Sequence, residues 1–351
     1  MVDYLIAGLG LAGISFCETL EQEGKSFMVV SDQSQKASTV AGGLYNPVAL
    51  KRFNLSWKAH EQLALLPQFY AGLEKKLGVQ LNYPLSVLRR FTSIEEQNQW
   101  FEASDKPGLE PLMSTSLISN TNAAIEAKYS YGEVLRTGRV DTKLLQIGYR
   151  NYLLDRNLLR KESFDFNSLT LGEDLILYKN IKARYLVFAL GYGLKQNPYF
   201  NCLPLSGSKG EYLMIKAPDL KEKHIIKSSV FLIPQGNQVY RVGATYKRED
   251  KTNKPTPEAR EELETKLRSF LKCDYEVEHQ LAGIRPTTGD RRPLVGQHPY
   301  YPSLYLLNGF GSRGVMIAPY ASKALYNYIE NQEELPAEMD IKRFRKRFGK
   351  F

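Results

Sequence analysis

The sequence predicts an α/β protein in two parts, one a nucleotide-binding part with parallel strands and the other rich in antiparallel β-strand. Three observations carry this. A glycine-rich turn joins a strand to a helix at the N-terminus, a second strand, glycine loop and helix follow near the C-terminus, and two β-patterned blocks lie between them.

At the N-terminus, Tyr4-Leu5-Ile6-Ala7 runs straight into Gly8-Leu9-Gly10-Leu11-Ala12-Gly13, and an Ala/Leu-rich helical pattern continues from Ala12 to about Glu23. Gly8 allows the tight turn, Gly10 lets the backbone approach a pyrophosphate at the helix N-terminus, and Gly13 lets the helix pack closely on the sheet. Phe27-Met28-Val29-Val30 closes the βαβ unit. An acidic residue is expected at its end to hold ribose hydroxyls. Counting from Gly8, the usual position falls on Ser31, and the contact is assigned to Asp32, one residue later. The run Ser38 to Pro47 is rich in small residues, which suits backbone bordering a ligand and equally an ordinary glycine-rich loop. Leu63, Leu65, Leu66, Phe69, Tyr70 and Leu73 recur with helical spacing and predict one helix over 57–77.

Residues 83–131 read as strands and loops. Asp141 is placed as the N-cap of a helix from Thr142 to Leu154. A hairpin-like region follows, and then Ala183 to Gly191 gives a continuous apolar strand suited to a buried parallel position. Strands are expected at 212–215, 230–233 and 239–242, and a helix from Pro257 to about Leu271. After the run Gly283 to Gly296, the strand Leu304-Tyr305-Leu306-Leu307 opens into Asn308-Gly309-Phe310-Gly311-Ser312-Arg313-Gly314 and a helix to about Ile329 that contains Pro319. Its N-terminus and loop amides suit negative charge on a ligand's ring. The expected division is discontinuous: 1–82, 132–205 and 276–351 bind the nucleotide, while 83–131 and 206–275 form the substrate domain.

The 351 residues, 43% of them hydrophobic, describe a globular chain long enough for two domains. Cys17, Cys202 and Cys273 are scattered, so neither a disulfide framework nor a zinc site is expected. Apolar runs fall short of a membrane span and the first strand starts almost at once, so a cytoplasmic protein without a membrane partner is expected. The net charge of +9 is concentrated in part in Lys342, Arg343, Arg345, Lys346, Arg347 and Lys350, a pattern of either a polyanion partner or a solvated basic terminus.

These motifs, in this order and over nearly the whole chain, resemble the D-amino-acid oxidase superfamily. Its closer members include glycine oxidase, sarcosine oxidase and the oxidase half of the bifunctional enzyme that trims carboxymethylaminomethyl-uridine in tRNA. The resemblance implies a Rossmann-like FAD-binding domain, an antiparallel substrate domain, and oxidation of the C–N bond of an amino acid or N-substituted glycine by hydride transfer to flavin N5. It further implies that Gly8, Gly10, Gly13 and Asp32 contact the ADP half. Ala41, Gly42, Gly43 and Gly191 would border the cofactor, and Gly309, Gly311, Ser312, Arg313 and Gly314 would face the flavin pyrimidine. Arg285 matches the arginine that clamps a substrate carboxylate in glycine oxidase, with a core arginine paired to Asp290 as the alternative. Tyr246 is assigned either to the same carboxylate or to strand packing, and His224 and His298 to structure rather than catalysis. The flavin-linking cysteine of sarcosine oxidase has no counterpart in Ile284 to Asp290, so a dissociable FAD is expected. Gly311-Ser312-Arg313-Gly314, Ala318-Pro319 and Gly243-Ala244-Thr245-Tyr246 resemble the tRNA-modifying branch, which makes tRNA the alternative partner to a small amine or amino acid. The methyltransferase half of that enzyme has no counterpart in these residues.

Overall fold

A computed structural model describes residues 1–173 and 175–349; the expectation for Lys350 lies outside them. The first strand, Val2–Ala7, carries side chains buried on both faces, as a central parallel strand must. Phe27–Val30 pairs with it in parallel on one side and Ile181–Phe188 in parallel on the other. Leu159–Arg160 extends the sheet beyond Phe27–Val30, and Leu304–Asn308 adds in parallel to Ile181–Phe188. The hairpin-like region becomes Leu169–Leu171 and Ile176–Tyr178, antiparallel to one another, with Ile176–Tyr178 antiparallel to the start of Ile181–Phe188. With Leu294–Gln297 this makes a sheet of eight strands among the described residues.

Helices Leu11–Gln22, Ala59–Leu77 and Gly314–Glu330 pack together over this sheet. Two carboxylates, Glu18 and Glu21, tie the first two of these to one another through Lys76, and accept from Tyr149 and Tyr152 of the helix Thr142–Asp155. Glu18 is 2% exposed and meets Lys76 Nζ at 2.5 Å, and Lys76 also reaches Glu21 at 2.8 Å. Asp141 caps Thr142–Asp155 as expected, its Oδ1 accepting from Leu144 N at 2.9 Å.

The second sheet also has eight strands among the described residues. Its order is Glu276–Thr288, Leu205–Lys216, Val239–Gly243, Phe231–Gly236, Ile225–Lys227, Val87–Arg90, Tyr131–Val134 and Met113–Ile118. All neighbours are antiparallel except Ile225–Lys227 against Val87–Arg90. Two expectations are corrected here. Glu276–Thr288, expected with the nucleotide-binding part, pairs along the whole of Leu205–Lys216, so a division at residue 276 would cut the sheet. The stretch 83–131, read as strands and loops, contains a helix, Ile94–Ser104, started by Ser93 Oγ accepting from Glu96 N and burying Trp100 completely.

The back of the second sheet is held by charge. Lys209 is fully buried and its Nζ donates to Asp250 at 2.5 Å and to the Lys254 carbonyl, 3.4 Å from Glu211. Glu211, 1% exposed, also accepts from Thr256 N, Thr256 Oγ1 and Gln280 Nε2. This network fixes the segment 247–256 that follows Tyr246. Lys209→Met leaves Glu211 without its cation and should cost about 3–5 kcal/mol, measured by denaturant unfolding. The Lys209 hydrogen bond, followed by those from Thr252, holds the Asp250 carboxyl down at about 2 from its usual 3.8. The stability it contributes is complete above about pH 4 and is lost as pH falls towards 2, a loss that Asp250→Asn should abolish in acid titrations.

Candidate active site

The C-terminal ends of Val2–Ala7 and Ile181–Phe188 open onto a cavity of about 580 Å³, within the ~300–1,000 Å³ of small-ligand sites. One wall is the nucleotide-binding turn, and the other is the face of the antiparallel sheet carrying Gly210, Tyr212, Lys227, Phe231, Gly243, Gly283 and Arg285. Gly8 has φ +102°, and a Cβ there would sit 2.5 Å from the Ala189 carbonyl oxygen; one on Gly13 would sit 2.1 Å from Gly8 O. Turn, strand end and helix are therefore locked together by close backbone approach.

The helix Leu11–Gln22 starts at Gly10 with no side-chain cap of its own. A hydroxyl from another element does this instead, Ser38 Oγ accepting from Leu11 N at 3.1 Å. Asp32, at the end of the second strand, accepts from Ser163 Oγ at 2.5 Å and Ser34 N at 2.8 Å. Burial raises its pKa, but the hydrogen bonds from Ser163 and Ser34 outweigh this and hold it below the usual value. A helix N-terminus lining the cavity beside an ionised carboxylate fits a diphosphate and a ribose diol, so these residues can hold a dinucleotide.

Ala41, Gly42 and Gly43 line the middle of the cavity. The reason for glycine at 43 differs from the one expected: φ is +70° and a Cβ would lie 1.9 Å from Val140 O, so strand pairing with Gly138–Val140 demands it. Arg241, unremarked in the sequence, is buried and donates to the Ala41 and Val40 carbonyls, fixing this loop against the substrate sheet. At the far end the helix Gly314–Glu330 begins at the cavity, with Gly311, Ser312, Arg313 and Gly314 on the wall. Arg313 donates to Asn46 O at 3.0 Å and to Ser56 Oγ. Burial, and then the charge of Arg291, bring its pKa down to about 10, so it stays a cation at neutral pH.

Arg285, on Glu276–Thr288, reaches across to the next strand. Its guanidinium occupies the space of a side chain on Gly210, where a Cβ would fall 1.8 Å from Nη2. It lies 5.2 Å over the Tyr246 ring and gives one hydrogen bond, to Thr245 O at 3.3 Å. Among the described residues it makes no ion pair; Asp290 is taken by Arg343 at 3.2 Å. Asp32 is the sole carboxylate among the described residues of the wall, and no histidine lines it. His298 is buried elsewhere, with burial lowering its pKa to about 4, and His224 pairs with Glu222.

All the site residues expected from the sequence border this one cavity except Gly13 and Gly309. Gly13 packs the helix on the turn, and Gly309 fits against Leu294 and Thr288. Sequence reasoning missed Gly210, Ser163, Lys227 and Arg241. No local signal marked them: the partners of Gly210, Ser163 and Arg241 are distant in sequence, and Lys227 is marked by its place in the cavity wall. Asn308, which lies in the expected glycine loop, ties the strand ends together through Gly191 O at 3.0 Å.

The chain matches, over residues 3–327, the family model DAO, described as FAD dependent oxidoreductase. Glycine oxidase of Bacillus subtilis is 26% identical over 161 residues, 44% of this chain and 43% of that protein. The tRNA 5-methylaminomethyl-2-thiouridine biosynthesis bifunctional protein MnmC of Aromatoleum aromaticum is 27% identical over 177 residues, 44% of this chain and 28% of that protein. The matches thus span less than half the length of these curated relatives. The crystal structure of glycine oxidase from Bacillus cereus superposes with a TM-score of 0.78 at 20% identity, covering 95% of this chain and 96% of that one, and shares its fold. The chain belongs to the DAO family of FAD-dependent oxidoreductases.

Proposed function

We propose that this enzyme oxidises the C–N bond of an amino acid or N-substituted glycine whose carboxylate is held by Arg285. The observation that carries the reading is an arginine without an acidic partner among the described residues, seated over Gly210 in the cavity that can hold the dinucleotide. Gly10, Ser38 and the first amides of Leu11–Gln22 hold the diphosphate, and Asp32 holds the ribose. Ala41, Gly42 and the turn Gly311 to Gly314 border the ring system. Bound FAD supplies the two-electron acceptor. Arg285 offers a planar fork that matches a carboxylate with two parallel hydrogen bonds, and the Tyr246 ring packs against the guanidinium. No carboxylate or imidazole among the described residues stands at this end to take an ammonium proton, so the amine is bound as its free base. Tyr212, Phe231 and Tyr246 give the space apolar walls.

A second reading, removal of the carboxymethyl group from carboxymethylaminomethyl-uridine in tRNA, uses the same clamp. The net charge of +9 supports it, as do Arg345, Lys346 and Arg347, which make no ion pair among the described residues. The likeness to the MnmC protein supports it too.

Arg285→Ala should keep the flavin spectrum and weaken carboxylate substrates by about 30-fold to several thousand-fold, the cost of truncating one partner of a buried charge pair. Arg285→Lys should restore part of this, and anaerobic flavin reduction by stopped flow measures both. Wild-type rates in Arg285→Ala would remove the clamp. Arg313→Ala should act on the cofactor instead, lowering FAD affinity by about tenfold in apoprotein titrations while the order of substrate preference stands. Deleting the gene and profiling tRNA nucleosides tests the second reading: accumulation of carboxymethylaminomethyl-uridine is its expected result, and an unchanged profile removes it.

A further inference from the structure

Lys227 is a second cation in the cavity wall that the proposed reaction does not use. It ends the short strand Ile225–Lys227, whose first two residues are buried, and its register partner across the sheet is Phe231. The side chain folds over that ring, with Nζ 4.8 Å from the centroid and a single long hydrogen bond of 3.5 Å to Ser229 O. Lys227 makes no ion pair among the described residues. Glu96, whose charge reaches it, is held by Arg89, and Arg89 and Lys266 repel it. A half-buried ammonium with neither full solvent nor a counter-ion is costly unless a ligand supplies the charge.

The sheet register places it relative to Arg285. Phe231 pairs with Gly243, and Gly243 pairs with Tyr212, two residues along from Gly210. The guanidinium lies over Gly210 and the ammonium over Phe231, two strands away, so the cations are roughly 10–12 Å apart by ordinary strand spacing. Between them the wall is low, because Gly243 has no side chain and the Tyr212 ring lies flat where its Cβ would be, 2.3 Å from Cδ1.

We propose that Lys227 receives a second carboxylate of the substrate, so that the cavity selects amines carrying an anionic group at each end. This rests on the reading of Arg285 as the clamp for the first carboxylate. A contact of about 3–4 Å at each cation leaves room for carboxylates several ångströms apart, the span of an N-carboxymethyl amino acid. The position of the ammonium, folded over Phe231 on the inner wall, favours a small dicarboxylate over the backbone of a nucleic acid. Burial, then Arg89 and Lys266, bring its pKa down to about 8 against the opposing pull of Glu96, and this is consistent with a cation that discharges in mildly alkaline solution.

Calorimetric titration of the holoenzyme with two inert thioethers tests this without turnover. Thiodiglycolate carries two carboxylates and (methylthio)acetate one. Wild-type protein should prefer the dicarboxylate by about tenfold or more, the worth of one charged hydrogen bond, and the preference should fade above about pH 8. Lys227→Met, which keeps the apolar stem over Phe231, should lose the preference while its affinity for the monocarboxylate moves by less than about twofold. Equal weakening of both ligands, or no change in either, overturns the proposal while leaving the Arg285 clamp standing. Loss of tRNA binding in Lys227→Met with dicarboxylate binding intact also overturns it. If neither ligand binds wild-type protein, or if Arg285→Ala binds both as tightly as wild type, the clamp reading falls and this proposal with it.

Discussion

The close approach of Gly8 to the Ala189 carbonyl, and of Gly13 to Gly8, is the constraint from which the geometry of the site follows. It brings the ends of two parallel strands and the start of a helix within backbone distance of one another, where any side chain would force them apart. The first turn of the helix then lines the space left beyond the strand ends. Ser38 and Asp32 are brought to that space by the next two turns of chain, and Asn308 joins the third parallel strand to it through Gly191. The hydrophobic core supports this arrangement but does not specify it; Leu5, Ile6, Val187 and Phe188 would be equally buried in many other sheets.

The electrostatic character of the cavity follows from what surrounds it. Lys51, Arg150, Lys227, Arg285 and Arg313 line it, against the single carboxylate of Asp32 among the described residues. Such a wall draws anionic ligands into a region of low dielectric and holds them more strongly than the outer surface can. Arg241 serves a different purpose: it donates to the Ala41 and Val40 carbonyls, so it holds that loop against the antiparallel sheet rather than offering a donor to a ligand.

The nucleotide-binding half was legible in the sequence because its signals are local. Gly8 to Gly13 state the turn, Phe27 to Val30 the next strand, and Asp141 the cap of its helix, each within a few residues of the structure it specifies. The helix Ile94–Ser104 was also written in the sequence, in Ser93 and Glu96 and the apolar Trp100, but it was hidden in a region dominated by short strand-like runs. The long pairing of Glu276–Thr288 with Leu205–Lys216 joins segments some seventy residues apart, and no local pattern reports it. For the same reason Arg285 could be singled out in the sequence while its seat on Gly210 could not. The glycine that makes room for the guanidinium lies on a partner strand, and its identity has meaning only once register is known.

The strand Leu205–Lys216 faces two ways, and this bears on how the enzyme can change. Gly210 seats the Arg285 guanidinium on one face, while Lys209 and Glu211, its immediate neighbours, anchor the buried ion network on the other. A mutation that shifts this strand to reshape the cavity also shifts a desolvated lysine against its partners, so the floor under Arg285 tolerates little movement. Ile225–Lys227 has three residues, and its ammonium makes no ion pair among the described residues. The cavity wall is therefore less constrained at that far end than at the strand beneath Arg285.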